Sequence, residues 1–150
     1  MKERFKVVPA LFTVILKDEQ VLLLRRQNTG WLDGYYEPPS GHLEANETLQ
    51  AGTVRELAEE TGLTVNPEDL ELMHIYQNYH NTDRPYLGFI FKANKWQGEP
   101  EIREPEKCDD MRFFSLDNLP KVTPYVKHAL GQLASKEVTF SYWDEGSMKR

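Results

Sequence analysis

One segment constrains this chain more than any other: GHLEANETLQAGTVRELAEETGL, from Gly41 to Leu63. Its ends read as helix punctuation. Asn46 suits an N-cap, Glu47 the first turn and Gly62 the C′ position. At about 100° per residue, Val54, Leu57, Ala58 and Thr61 share one side, fit to face a core. Glu56, Glu59 and Glu60 fall opposite, within an arc of roughly 100°. Carboxylates at i, i+3 and i+4 repel by roughly 0.2–0.5 kcal/mol per pair. A divalent cation reverses that sign, because hard cations take oxygen ligands, commonly one or two carboxylates plus substrate phosphates. A solvated acidic face is the alternative, and periodicity alone does not separate the two. Gly52, inside the helix, costs about 1 kcal/mol against Ala, for which close approach by another segment is a possible reason.

Around this helix the chain alternates between strand and loop. Val7 to Leu16 and Val21 to Leu24 are apolar and β-rich, joined by the polar turn Lys17-Asp18-Glu19-Gln20. Gln27 to Gly41 carries Gly, Pro, Asn and Asp and reads as a loop. Leu72 to Tyr79 and Tyr86 to Ala93 form a second strand pair, separated by residues 80–85, and Met111 to Phe114 is a short strand. Tyr125 to Ser135 has helical spacing, with Pro124 placed at its start, and Val138 to Trp143 is a last strand. Strands before, between and after two helices predict an α/β or α+β domain.

With 150 residues the chain has the length of one domain. A net charge of −6 argues against binding a nucleic-acid polymer, which needs excess Lys and Arg. A small anionic substrate is still compatible, since a carboxylate-bound cation supplies local positive charge. No apolar run reaches the roughly 20 residues of a membrane span, and the N-terminus lacks a signal-peptide pattern. The single Cys108 makes no intrachain disulfide, so a reducing cytoplasm is expected. His42, His74, His80 and His128 show no zinc-ligand spacing.

The spacing Gly41, five residues, Glu47, seven residues, Arg55-Glu56-Leu57, one residue, Glu59-Glu60, one residue, Gly62-Leu63 resembles the signature of the Nudix (MutT-like) hydrolases at every fixed position. The resemblance implies one Nudix domain over residues 1–150, motif 41–63, with a mixed β-sheet sandwiched between α-helices. It implies cleavage of a nucleoside diphosphate linked to another group, with Mg²⁺ as cofactor and Mn²⁺ as a substitute. Glu56, Glu59 and Glu60 are then the metal-ligand candidates. Ser40, which precedes the first motif glycine, would give a main-chain carbonyl ligand, although many members have Gly there. Glu47 and Arg55 resemble the family's structural ion pair. The general base varies within the family. The candidates are Glu56 or Glu59 on the helix, or a glutamate of the later loop, where Glu99, Glu101, Glu104 and Glu106 stand and Glu104 is favoured.

The stretch from Gly98 to Pro120, with its EPEKC run, Phe113-Phe114 and LDNLP, resembles enzymes that hydrolyse nucleoside triphosphates, including oxidised ones, to a monophosphate and pyrophosphate. ADP-ribose, a nucleotide sugar or a dinucleotide polyphosphate is the alternative substrate, and a non-catalytic nucleotide-binding module a further one. Arg25 is a phosphate-binding candidate; strand alternation sends Arg25 and Arg26 to opposite faces, so one at most reaches a phosphate. Tyr36, Phe113 and Tyr125 are candidates for holding the base, against the alternative that each packs in the core. The family resemblance also implies a homodimer as an option, in which Val138 to Trp143 could take part.

Overall fold

A computed structural model describes residues 1–79, 83 and 85–144. His80 and most of the connection that holds it lie outside the described residues.

Two long strands set the frame. β1 (Val8–Lys17) and β2 (Gln20–Arg26) are joined by Asp18 and Glu19, both at positive φ, which is the geometry of a two-residue hairpin turn. β1 is buried on both faces through Ala10–Ile15, which is why it reads as a nearly unbroken apolar run. Its other side pairs in parallel with β6 (Tyr86–Ala93), which pairs antiparallel with β5 (Glu71–Tyr79). β8 (Thr139–Asp144) adds to β5 in parallel and ends the sheet. β7 (Cys108–Ser115) and the short β3 (Tyr36–Glu37) flank β2, and β4 (Ser40–His42) pairs with β1. The sheet is therefore mixed.

The two helices pack on opposite faces. Ala10, Phe12 and Val14 of β1 join one apolar cluster with Tyr125, Val126 and Ala129 of α2 (Pro124–Leu130). Ile15, Leu22 and Leu24 join a second cluster with Leu57 of α1 (Leu49–Thr61). The mixed sheet sandwiched between helices is thus the observed architecture.

Three local expectations change. α1 begins later than expected: Thr48, not Asn46, is the N-cap, its Oγ1 accepting from Ala51 N at 3.0 Å. Asn46 instead turns the chain at φ 66°, and Glu47 stays outside the helix, where its carboxylate is engaged by Arg55. α2 stops at Leu130 because Gly131 follows; residues 132–135 continue only as i→i+3 turns. The 27–41 loop contains β3 and β4, split by Pro38-Pro39, which have no N–H for a ladder.

His74 of β5 is fully buried. Its Nδ1 meets Thr139 Oγ1 at 2.6 Å and its Nε2 meets Ser141 Oγ at 2.8 Å, both on β8, while the His128 ring of α2 lies 5.4 Å away. Burial, reinforced by His128, lowers its pKa to about 4. The unfolded chain, with His near 6.5, then binds the proton first, so this contribution is present above pH 6.5 and is lost as pH falls toward 4. Between pH 7 and pH 5 the wild type should lose about 2 kcal/mol through this group. Urea unfolding of wild type and His74→Gln at both pH values checks this: the variant's pH dependence should be shallower by that amount, and equal slopes would refute the assignment.

Candidate active site

The carboxylate side of α1 is only partly open to water: Glu59 is exposed, whereas Glu56 and Glu60 are partly buried. Its last two turns lie against β4 and the segment 101–104, where Glu101 N and Arg103 N donate to the Thr61 and Glu60 carbonyls. A Cβ on Gly41 would fall 1.9 Å from Glu56 Cδ, so glycine is required for that carboxylate to lie across β4. Gly52 has a matching reason: a Cβ there would sit 2.7 Å from Glu47 Oε1 and 2.8 Å from Leu11 Cδ1. At each glycine the space of a Cβ is taken by a neighbouring side chain.

Arg55 organises this end of the molecule. Its Nε and Nη2 donate to the two oxygens of Glu47 at 3.0 and 2.7 Å, a bidentate pair. Nη2 also reaches the His42 carbonyl at 2.9 Å, and Nη1 donates to Glu56 Oε1 at 2.8 Å and to Glu59 at 3.4 Å. One guanidinium thus joins the approach to the helix, β4 and two motif carboxylates. The Arg55 bonds hold Glu47 below the usual carboxylate range. Burial pushes Glu56 up, opposed by Arg55.

Glu60 is the most enclosed of the three motif glutamates. Burial pushes it well above the usual range, with the carboxylates of Glu37, Glu104 and Glu56 adding to the effect; the Ser40 N–H, 3.3 Å from Oε1, opposes them. Ser40, Glu60, Glu37 and Glu104 line one groove of about 360 Å³. Arg25, Arg26, Asn28, Thr29, Lys107 and Cys108 line it as well. Among the described residues no three Asp, Glu, His or Cys side chains already converge as a ligand cluster. The donor set nonetheless fits a hard divalent cation: partly buried carboxylates outnumber their cationic partners, and Ser40 supplies main-chain oxygen beside them. Glu56 and Glu59 would exchange their Arg55 bonds for such an ion.

Of the sequence-predicted residues, Ser40, Glu60, Glu104 and Arg25 line this groove, Glu56 and Glu59 lie outside its lining, paired with Arg55, and the aromatics pack in the core. Glu104 lines the groove, with Lys107 Nζ 3.4 Å from its Oε2. Arg25 lines it while pairing with Asp109 at 2.7 Å. Arg26 lines it too, contrary to the alternation argument, because a register shift between Leu24 and Arg26 re-aims the strand end. None of the three aromatic candidates lines it. Tyr36 is buried, donating to Asp110 and packing edge-on to Phe114. Phe113 stacks near Trp96 in the second apolar cluster. Tyr125 is buried, stacked on Tyr76 at 4.7 Å, with its hydroxyl 3.3 Å from Glu37. Sequence reasoning missed Glu37, Thr29 and Lys107, and kept only Arg25 of the Arg25-Arg26 pair. A carboxylate lodged between Tyr36 and Pro38, close to the motif glycine, was the available signal for Glu37.

Gly41→Ala should drive Glu56 out of its place while leaving the helix intact. Calorimetric titration with Mn²⁺ should show affinity weakened about tenfold at a nearly unchanged Tm; unchanged affinity would mean that Glu56 does not contribute to a cation site.

Comparison with known proteins shows the family to which the chain belongs. A family model described as the NUDIX domain matches residues 7–134. An ADP-ribose pyrophosphatase of Methanocaldococcus jannaschii is 32% identical over 124 residues, 81% of this chain and 70% of that protein. The NAD-capped RNA hydrolase NudC of Stutzerimonas stutzeri is 25% identical over 77% of this chain but only 39% of its own length. In fold, a MutT Nudix hydrolase from Burkholderia pseudomallei superposes with a TM-score of 0.80 at 23% identity, covering 87% of this chain and all of that one. A family match of that extent, together with a relative this similar over most of its length, means that the chain belongs to the Nudix hydrolase family.

Proposed function

We propose that the chain works as a single Nudix domain that hydrolyses a nucleoside triphosphate to a nucleoside monophosphate and pyrophosphate, with Mg²⁺ as its cofactor and Mn²⁺ as a substitute. The observation that carries the reading is the enclosed Glu60 of α1, which with Glu37 and Glu104 lines a groove that also holds cationic side chains. Glu56, Glu59, Glu60 and the Ser40 carbonyl would hold the cation. When bound, it neutralises phosphate oxygens and makes a nearby water more acidic. Glu56, Glu59 or Glu104 then accepts the proton of the attacking water, Glu104 being the one already in the groove wall. Water adds to phosphorus, the bridging P–O bond breaks, and pyrophosphate leaves. Arg25 and Lys107 meet the phosphate charge.

The triphosphate reading is supported by the likeness of residues 98–120 to triphosphate-hydrolysing members. A second reading, ADP-ribose, is favoured by the archaeal relative of that name. The substrate is read as a small nucleotide rather than a nucleic-acid polymer, in keeping with the acidic chain. No helix among the described residues is long and apolar enough to cross a membrane, and we place the activity in the cytoplasm. A homodimer involving β8 is supported by the outward-facing rings of Phe140 and Tyr142 at the sheet's end.

Release of pyrophosphate and phosphate with Mg²⁺, across common and oxidised (d)NTPs, ADP-ribose, nucleotide sugars and dinucleotide polyphosphates, tests the proposal. Strong turnover of one triphosphate with pyrophosphate as product is expected, falling by about 100-fold or more in Glu59→Gln. Preference for ADP-ribose would replace the substrate and keep the site. No turnover of any compound with either metal would contradict the reading.

A further inference from the structure

Glu37 is a buried carboxylate that the cation chemistry above does not use. Three donors from three parts of the chain converge on it. Arg26 Nη1, at the end of β2, donates to Oε1 at 2.5 Å; Ser40 Oγ, at the start of β4, donates to the same oxygen at 3.3 Å; the Tyr125 hydroxyl of α2 reaches Oε2 at 3.3 Å. Arg26 in turn spends the rest of its fork on the neighbouring loop. Its Nε donates to the Trp31 carbonyl at 2.7 Å and its Nη2 to Thr29 Oγ1 at 2.9 Å. Only 19% of the Arg26 side chain and 9% of the Glu37 side chain are exposed.

A buried ion pair is a poor device for stability alone, since desolvation offsets most of the attraction and apolar residues of similar size serve a core as well. This pair, moreover, lies in the groove wall and not in the apolar clusters. Its contacts fall on the two segments that shape the groove beside Glu60. Ser40 lies between them: its hydroxyl is held by Glu37 and its N–H by Glu60 Oε1 at 3.3 Å. The glycine that many Nudix members carry at this place has no hydroxyl to make that bond. Here serine uses its side chain to fix the orientation of its own peptide.

We propose that Arg26 and Glu37 form a positioning unit: Glu37 fixes Ser40, and with it the main-chain carbonyl offered to the cation, while Arg26 fastens the Thr29–Trp31 loop to the same anchor. The inference rests on the cation site proposed above and adds to it residues that touch neither cation nor water. Arg26 is accordingly a positioning residue, its charge balanced by Glu37.

Mn²⁺ binding to the resting protein, followed by electron paramagnetic resonance without substrate, tests this independently of turnover. Glu37→Gln keeps the shape and removes the charge; Ser40→Ala cuts the link from the other side and leaves the ion pair intact. Both should weaken Mn²⁺ about tenfold at a matched folded fraction. Arg26→Lys keeps a charge opposite Glu37 but has no fork to hold the loop. It should keep Mn²⁺ affinity within about twofold while raising KM with little change in kcat. A lower Tm in Glu37→Gln with Mn²⁺ affinity unchanged would show a merely structural pair and overturn the proposal, as would wild-type affinity in Ser40→Ala. If Glu37→Gln does not fold, Ser40→Ala decides alone. A wild type that binds no Mn²⁺ overturns the cation site itself, and this inference with it; Mn²⁺ binding without turnover of any nucleotide refutes only the proposed reaction.

Discussion

The Arg55–Glu47 pair is the interaction on which the site depends. Glu47 lies just before α1 and Arg55 in its second turn, so the bidentate bond ties the entry of the helix to its body. The same guanidinium holds the His42 carbonyl, which fixes β4 against the helix. With β4 fixed, Gly41 lies beneath Glu56 and Ser40 beside Glu60. The Nη1 group of Arg55 steadies Glu56 and Glu59. Charge-assisted bonds of this kind are about twice as strong as neutral ones, and the partly buried setting screens them little.

That arrangement leaves an electrostatic imbalance at the groove. Glu60 and Glu56 are raised by burial, with Glu37 and Glu104 as like-charged neighbours. Arg26 is balanced by Glu37, and Arg25 by Asp109, before any ligand arrives. A divalent cation held there would relieve the crowding, and an anionic substrate would then be attracted to a place that an acidic protein otherwise repels. The overall charge of −6 is therefore no obstacle to a phosphate substrate, because the local field decides.

Much of this was legible in the sequence for specific reasons. The strands β1, β2, β5 and β6 announced themselves by apolar, β-branched runs, and the Glu side of α1 by helical spacing. The Asn46 N-cap failed because capping is decided by which side chain reaches the first free N–H, and Thr48 does. Arg26 joins Arg25 at the groove because a bulge breaks the period of two on which the face argument rests. The aromatic candidates illustrate a wider limit. A tyrosine in a loop or at a helix start looks available, yet Tyr36 and Tyr125 are buried by contacts from Asp110, Tyr76 and Glu37, distant in sequence. Glu37 was hidden for the same reason: its burial depends on partners from three elements that only the fold assembles.

The most direct test of the central claim is a crystal structure grown with Mn²⁺ and a non-hydrolysable α,β-methylene nucleoside triphosphate. The anomalous signal locates the ion without assumptions about turnover. The account predicts a peak bounded by the Glu56, Glu59 and Glu60 carboxylates and the Ser40 carbonyl, with the phosphates facing Arg25 and Lys107. Mn²⁺ bound elsewhere, with Glu56 and Glu59 still held by Arg55, would contradict it.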